Sequence, residues 1–281
     1  MAGDSHSWPF QKKGGVMKIC CVLPIIQPEQ ENKQYYKLLR SDHDMVKRPD
    51  TEVVIKDVPT GLPRPDLINY LGFRFLNDRE ILRAMILAER EGFDAVAGGC
   101  YFDGAIKAAS NILGIPVVGP AESSMHFASM IGEHFAVITA GREHIAEIEQ
   151  HIVECGMRDF AIPKQPVRSL SLSFESFGAC VLGNYKSAID DYIRVAKLCI
   201  EDGADVIITG CGLLAPMLTQ SGFLEIEGVP LVDPMIVCLK TAEVMVDFRR
   251  AGMRIKNGSG RFIRPAPGQT DEVLRSMMGI A

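Results

Sequence analysis

A nine-residue block occurs twice in this chain, and each copy ends on a glycine followed by a cysteine. The copies are Gly92–Cys100, with the sequence Gly-Phe-Asp-Ala-Val-Ala-Gly-Gly-Cys, and Gly203–Cys211, with the sequence Gly-Ala-Asp-Val-Ile-Ile-Thr-Gly-Cys. Each contains an apolar run typical of a buried strand. A helix-compatible stretch follows each cysteine, and the segments Gly114–Pro120 and Gly228–Pro234 then repeat the order Gly-x-Pro and strand. Repetition of such a unit indicates a duplicated architecture, so we predict two similar halves with one cysteine each.

Strand-like and helix-like segments alternate along most of the chain. Besides the two runs that end at the cysteines, the predicted strands are residues 18–24, 51–56, 116–118, 135–139 and 167–172. The predicted helices are residues 33–47, 78–91, 103–113, 122–131, 142–155, 184–202, 213–219 and 234–250. Asp78 is the predicted N-cap of the second helix, and Gly92 its C-terminal cap. This alternation predicts an α/β fold with two pseudo-symmetric domains, each with a mostly parallel sheet flanked by helices.

The predicted domain boundaries follow from where the repeats begin and end. Residues 1–16 are mostly polar and are expected to be a disordered extension. Residues 17–118 together with 235–281 form the first predicted domain, and residues 119–234 form the second. The proline-rich segment 57–65, which follows the second strand, predicts a loop that lies near the edge of the first sheet.

The composition argues against several classes of partner. The chain has 281 residues, 47% of them hydrophobic, and a formal net charge of −5, so no basic stripe is available for nucleic acid or an anionic membrane. No apolar run reaches the roughly 18–20 residues of a membrane helix, and the start of the chain has no apolar signal-peptide core. Eight cysteines are scattered without C-x-x-C pairs or zinc-ligand spacing. This pattern favours free thiols in the cytoplasm and no bound metal.

The two cysteines of the repeat are predicted at the carboxyl ends of strands, where α/β proteins bind ligands. Cys100 and Cys211 each follow a glycine and precede a predicted helix. A helix N-terminus carries free N–H groups and a positive dipole end, which lower the pKa of a nearby thiol and stabilise an oxyanion. We therefore expect two reactive thiols that face one cleft.

Five stretches together resemble the aspartate/glutamate/hydantoin racemase superfamily, and within it the hydantoin and allantoin racemases most. These stretches are Gly98–Asp103, Pro116–Ala128, Phe135–Thr139, Gly203–Gly212 and Gly228–Asp233. The resemblance covers about residues 17–250. It implies two pseudo-symmetric α/β domains with the active site in the cleft between them and no cofactor. A small-molecule substrate and a homo-oligomer are also expected.

The resemblance also implies roles for individual residues. One group removes the proton next to a carbonyl and a second group returns a proton to the opposite face. By position these groups are Cys100 and Cys211. The residues predicted to line the substrate are Pro24, Ile26, Gln27, Tyr101, Phe102, Thr139, Gly212 and Leu213.

The residues beside the cysteines favour a neutral substrate. Recognition of a free carboxylate needs cationic or hydroxyl groups, and no Arg or Lys adjoins either cysteine block. The side chains there are instead apolar or aromatic, namely Tyr101, Phe102, Leu213 and Leu214. The prediction is racemisation of a 5-substituted hydantoin or a similar neutral ring. The alternatives are a carbon–carbon isomerase or decarboxylase of the same fold, an amino-acid racemase, and a non-catalytic protein that binds a small molecule.

Overall fold

The two copies of the repeated block form inner strands of two separate sheets. The computed structural model describes residues 15–25, 29–171, 183–256, 263, 265–266 and 268–279. The strands are β1 Met17–Leu23, β2 Thr51–Asp57, β3 Ala95–Gly98, β4 Val117–Val118, β5 Phe135–Thr139, β6 Val167–Ser169, β7 Val206–Thr209, β8 Glu225–Ile226 and β9 Val229–Val232. The helices are α1 Glu29–Val46, α2 Leu71–Arg90, α3 Ile106–Ile112, α4 Pro120–Ile131, α5 Ile145–Glu154, α6 Lys186–Glu201, α7 Leu214–Gln220, α8 Pro234–Arg250 and α9 Gln269–Met278.

The two sheets have the same strand order. The first sheet has the order β2-β1-β3-β4, and the second has β6-β5-β7-β9 with β8 added at the edge. All pairings are parallel except that between β8 and β9. In each sheet the strand that leads to the cysteine lies beside the first strand of that half. The predicted α/β fold, with mostly parallel sheets flanked by helices in a two-domain architecture, is confirmed.

Two helices cross between the sheets. α4 follows a strand of the first sheet but packs Ala121, Met125 and Ala128 into the core beneath the second sheet. α8 follows β9 of the second sheet but packs Leu239 and Val246 into the core beneath the first. Each helix has Pro at its first position, where the missing N–H is not needed for a helical hydrogen bond. The chain therefore passes between the halves at the start of α4 and again at the start of α8.

The largest difference from the predicted elements lies before the first cysteine. α2 begins at Leu71, so it is two turns longer than the predicted helix, and Asp78 lies inside the helix. The helix follows a 3₁₀ turn at Pro65–Asn69, and its N-cap residue Tyr70 makes no side-chain capping bond. The predicted N-cap was wrong because the helix continues towards the N-terminus through mostly exposed residues, where Arg74 and Asn77 make contacts with distant residues.

Two smaller differences concern α3 and α9. α3 begins at Ile106, later than predicted, because Asp103 and Ala105 have φ angles of 50° and 61°, which interrupt a helix. The tail contains α9, which was not predicted, and α9 packs Leu274 against the core beside Ile81 and Met85. Across the described residues, the helices are too short or too polar to traverse a lipid bilayer.

Candidate active site

The segments that carry the two cysteines are in direct contact. The N–H of Gly99 bonds the carbonyl oxygen of Val22 at 2.8 Å, and the N–H of Gly210 makes the equivalent bond to Ile138 at 2.8 Å. A Cβ on Gly212 would lie 3.1 Å from the carbonyl oxygen of Gly99. The fold therefore brings the carboxyl ends of β3 and β7 together.

The cysteine segments make a second contact, and together the two contacts form a crossing of the segments. A Cβ on Gly210 would lie 3.4 Å from Cε1 of Tyr101. The residue before each cysteine thus lies against the residue after the other cysteine. Glycine at 212 permits this approach, because a Cβ there would press on the Gly99 carbonyl oxygen. Gly99 itself is required by its own sheet, where a Cβ would be 2.6 Å from the Val22 carbonyl oxygen. The segments of Cys100 and Cys211 are consequently neighbours, and the Cys211 thiol is close enough to affect the pKa of Cys100.

The two halves also exchange side chains at this crossing. Tyr101, which follows the cysteine of the first half, is buried in the core beneath the second sheet. Leu213, which follows the cysteine of the second half, packs against the cluster of Leu23, Tyr35 and Met235 in the first half. These contacts limit how far the two cysteine segments can separate without disturbing both cores.

Tyr35 is a site residue that the sequence analysis missed. It lies on the buried face of α1, and its hydroxyl donates to the carbonyl oxygen of Gly212 at 3.2 Å. Burial, followed by the neighbouring Cys21, Cys211 and Cys100 thiols, raises the pKa of Tyr35. The signal in the sequence was a tyrosine on the apolar face of a predicted helix, since a buried phenol needs a hydrogen-bond partner.

The pKa of Cys100 is raised to about 12, mainly by burial. The N–H of Phe102 and the Arg74 cation oppose this shift, whereas the Cys211 thiol and the Asp103 carboxylate add to it. The expected lowering by a helix N-terminus was wrong for this thiol. The reason is that α3 begins only at Ile106, so the free N–H groups of this helix lie beyond the turn.

The pKa of Cys211 is also raised by burial, while the N–H groups of Leu214 and Leu213 oppose the shift. Here the predicted contact with the start of a helix is present, because α7 begins at Leu214. Desolvation of the thiolate nevertheless outweighs the two N–H donors. The expected lowering of the pKa was therefore wrong for this thiol as well.

Asp103 anchors the loop after Cys100 to the start of α4. Its carboxylate accepts the N–H of Ala121 at 3.0 Å and the N–H of Glu122 at 2.9 Å. A Cβ on Gly119 would collide with the Asp103 carboxylate, so glycine there leaves room for these two hydrogen bonds. Burial raises the pKa of Asp103 to about 7, partly opposed by these two N–H groups. The loop that carries Cys100 is thus fastened to a helix that belongs to the other core.

The N-terminal half of α2 brings polar groups to the Cys100 side. The amide of Asn77 donates to the carbonyl oxygen of Pro24 at 2.5 Å. The carboxylate of Asp78 lies against Gly104, where a Cβ would be 2.5 Å from Oδ1. The guanidinium carbon of Arg74 lies 4.5 Å from the centre of the Phe102 ring. These residues are distant from the cysteines in the sequence, and only the tertiary fold places them on the Cys100 side.

Thr139, at the end of β5, lies behind Gly210 and is fully buried. Its Oγ1 lies 3.1 Å from the Gly210 carbonyl oxygen and 3.1 Å from Nδ1 of His144. Nε2 of His144 is 2.8 Å from Oδ1 of Asn69, which belongs to the 3₁₀ turn before α2. The Thr139 hydroxyl therefore aligns the strand end beside Cys211 and links it to the segment before α2.

The remaining predicted residues occupy different places. Pro24 and Cys100 line a cavity of about 10 Å³, which has room for roughly one water molecule. Phe102 and Gly212 are half-buried beside the cysteines. Ile26 and Gln27 lie outside the described residues.

A larger cavity than the one beside Cys100 lies elsewhere. It has a volume of about 930 Å³, is lined mainly by apolar side chains of α4 and α8, and includes neither Cys100 nor Cys211. Neither thiol borders this cavity, so the candidate active site is the place where the two cysteine segments meet. Within the described ranges, no three His, Cys, Asp or Glu side chains are placed to hold a metal ion.

Comparison with known proteins agrees with this architecture. A hydantoin racemase from Pseudomonas sp. (strain NS671) is 28% identical over 211 residues, which cover 74% of this chain and 80% of the relative. An allantoin racemase structure from Pseudomonas fluorescens has a TM-score of 0.72 and 22% identity, and covers 89% of this chain and 98% of the neighbour. The allantoin racemase from Klebsiella pneumoniae has a TM-score of 0.69 and 20% identity, with 88% and 97% covered.

These two structural similarities concern the fold, and the family assignment comes from the sequence. The sequence profile described as Asp/Glu/Hydantoin racemase matches residues 32–242, a range that includes both cysteines, Tyr35 and the whole of α2. The chain belongs to the Asp/Glu/hydantoin racemase family.

Proposed function

We propose that this racemase, an isomerase, inverts a stereocentre next to a carbonyl by passing protons between the substrate and two thiols, without a cofactor. The observation that carries the proposal is the crossing of the Cys100 and Cys211 segments, with Gly212 against Gly99 and Tyr101 against Gly210. The proposed cleft lies between residues 17–118 with 235–281 and residues 119–234.

The proposed reaction conserves protons. One cysteine, as the thiolate, takes the α-proton from one face, and the C–H electron pair moves into the carbonyl to form an enolate. The other cysteine, as the thiol, gives its proton to the opposite face and becomes the thiolate. Every turnover therefore exchanges the protonation states of Cys100 and Cys211. The N–H groups of Phe102, Leu213 and Leu214 stabilise whichever sulfur is negative.

The raised thiol pKa values predict how the rate depends on pH. A thiol with a pKa well above 7 holds little thiolate at neutral pH, so the fraction of active enzyme rises with pH until the thiol ionises. The cavity beside Cys100 has room for about one water molecule, so entry of a ring substrate requires the cleft to widen. Closure over the substrate then excludes water and strengthens the electrostatic interactions within the cleft.

We propose a neutral ring, such as a 5-substituted hydantoin, as the substrate. The names of the sequence relatives support this class. The charge around the site supports it as well, because Arg74 forms an ion pair with Glu147 and is not left free to bind a carboxylate. Phe102 and Leu213 offer apolar surface to a ring substituent.

The test is loss of optical rotation with enantiopure 5-substituted hydantoins, allantoin, aspartate and glutamate, at equal concentrations of enzyme. We expect the cyclic substrates to lose rotation at least ten times faster than the amino acids. Faster racemisation of aspartate or glutamate would contradict the substrate class. Release of carbon dioxide, without racemisation, from an acid of matching size would favour a decarboxylase.

We also propose that the enzyme works in the cytoplasm as a homo-oligomer. The unpaired cysteines among the described residues support the cytoplasm, since reducing conditions keep thiols free. The exposed apolar side chains of Tyr70, Leu71, Phe75 and Leu76 support an oligomer, because contiguous apolar surface marks contact sites. Light scattering of the purified protein, with Phe75→Glu as the disrupting variant, tests the assembly. A wild-type monomer at micromolar concentration would contradict it.

A further inference from the structure

Arg74 lies between the two halves of the molecule, close to one of the two thiols. Its side chain is only 11% exposed, and its guanidinium forms an ion pair with Glu147 on α5. The same guanidinium stacks over the ring of Phe102, with 4.5 Å from its carbon to the ring centre. A largely buried arginine held by a carboxylate and an aromatic face is fixed in position.

Phe102 connects Arg74 to Cys100. Its ring is sandwiched, since His144 meets it edge-on with 5.0 Å between the ring centres, while Arg74 covers a face. Its backbone N–H bonds the sulfur of Cys100. Contacts that fix the Phe102 ring also restrict the backbone that carries this donor to the thiolate. The Arg74 charge also acts directly, since it lowers the pKa of Cys100 against the dominant effect of burial.

The equivalent position in the other half carries no cation. Counting 26 residues back from each cysteine gives Arg74 in the first half and Tyr185 in the second. The Tyr185 hydroxyl accepts a hydrogen bond from the Gln34 amide at 3.1 Å. The groups that oppose the rise in the pKa of Cys211 are backbone N–H groups of Leu213 and Leu214.

We propose that Arg74 is a positioning residue for Cys100, which holds Phe102 and its N–H near the sulfur and makes the thiolate of this cysteine easier to form than it would be without the arginine. The effect of Arg74 on turnover rests on the proposed racemase function. The effect of Arg74 on the Cys100 thiol does not, because it can be measured in the protein without substrate. The chain thereby makes two duplicated thiols unequal.

Other charged groups face this cluster and restrict the pH range of a test. Asp103 and Cys211 act on Cys100, while Asp78, Glu147 and His144 surround Arg74. Burial raises the pKa of Asp78 to about 6 and that of Asp103 to about 7, and burial lowers the pKa of His144. Above pH 8.5 the carboxylates are ionised and the imidazole is neutral. A change in thiol reactivity above this pH therefore reports the thiols themselves.

The experiment measures the alkylation rate of each cysteine by iodoacetamide between pH 8.5 and 10.5, with peptide mass spectrometry to separate Cys100 from Cys211. Arg74→Gln should slow alkylation of Cys100 by about 3- to 10-fold, which corresponds to half to one pH unit, and change that of Cys211 less than twofold. Arg83→Gln is the matched control, since Arg83 lies on the same helix and pairs with Glu80. It should change neither rate.

Glu147→Gln removes the other end of the ion pair and should speed alkylation of Cys100, because the Arg74 charge is then no longer neutralised. Opposite effects of the two variants are not expected of a purely structural contact. Equal changes at both cysteines, or no change at Cys100 in either variant, would overturn the proposal. Should Arg74→Gln fail to fold, which its thermal unfolding would reveal, the outcome with Glu147→Gln decides.

Racemisation gives an independent readout. If the enzyme racemises a hydantoin, Arg74→Gln should move the rising limb of the kcat/KM profile to higher pH by the same half to one unit. An unchanged profile would overturn the role in turnover. If no tested substrate is racemised, the proposed function fails while the alkylation result still decides the role of Arg74.

Discussion

Cys100 and Cys211 occupy equivalent places in two sheets of the same strand order, yet their surroundings differ in charge. Cys211 is approached by the backbone N–H groups of Leu213 and Leu214 at the start of α7. Cys100 has one such donor, from Phe102, together with the charges of Arg74 and Asp103. The duplication thus accounts for the pair of thiols, and residues that differ between the halves determine how the two thiols differ.

The difference originates in helix starts. α7 begins at Leu214, close enough for its first N–H groups to reach the sulfur, whereas α3 begins only at Ile106. A turn with positive φ at Asp103 and Ala105 replaces the first helical turn in the first half. Asp103 uses that turn to cap α4. Cys211 therefore lies beside a helix N-terminus, whereas Cys100 lies beside charged side chains.

The largest effect is expected when either sulfur is removed. Cys100→Ser and Cys211→Ser should each lower racemisation in both directions by at least about 10³-fold, since each turnover uses both groups. In deuterated water, each variant should exchange the α-proton of at most one enantiomer, with opposite preference. The measurements are polarimetry and proton NMR. Retention of near wild-type racemisation by both variants would contradict the two-thiol assignment.

The next largest effect is expected where the halves touch. A Cβ on Gly212 would lie 3.1 Å from the Gly99 carbonyl oxygen, so Gly212→Ala should separate the two cysteine segments by a few tenths of an ångström. We expect a loss of about 10-fold in kcat, with a smaller effect on stability. Gly72→Ala is the control, since a Cβ there meets nothing within 4 Å. Wild-type kcat in Gly212→Ala would show that the spacing of the segments is not critical.

A third prediction concerns the carboxyl pair that joins α1 to the start of α8. Asp42 is fully buried, accepts a hydrogen bond from Gln220 at 2.6 Å, and faces Asp233, the N-cap of α8. Burial and the Asp233 charge raise the pKa of Asp42 above its value in the unfolded chain. The folded protein therefore holds a proton that the unfolded chain loses above about pH 4, and stability falls as the pH rises beyond that value.

Asp42→Asn removes this dependence, because an amide donates to Asp233 without a titrating proton. We expect the free energy of unfolding at pH 8 to rise by about 1–2 kcal/mol and its decline between pH 5 and pH 8 to flatten. Urea titrations at several pH values measure both. A variant with the same slope as the wild type would show that the pair does not titrate in this range.

The smallest expected effect is at Tyr35, which links α1 to the Cys211 side. Tyr35→Phe loses the hydrogen bond to the carbonyl oxygen of Gly212, at a cost of about 1 kcal/mol in stability. Because this bond lies on the Cys211 side, alkylation of Cys211 should change more than that of Cys100. Mass spectrometry of alkylated peptides checks this. Equal change at both thiols would indicate that Tyr35 acts on the whole cleft.

Much of the fold was predictable from local pattern. β5 at Phe135–Thr139 and α8 at Pro234–Arg250 have the predicted bounds, because an apolar run between breakers and a helix between Pro and Gly are local signals. The start of α2 was not predictable in this way. The exposed residues at its beginning follow no amphipathic period, and contacts of Arg74 and Asn77 with distant residues stabilise it.

The sequence by itself determined the duplication, the α/β class and the two cysteines at strand ends, because these properties depend on residue order along short segments. Only the tertiary structure decided that Arg74, Asp103 and Tyr35 lie beside these cysteines and that burial raises the pKa values of both thiols. Electrostatic effects depend on distance in space and on solvent exposure, and neither is recorded in spacing along the chain.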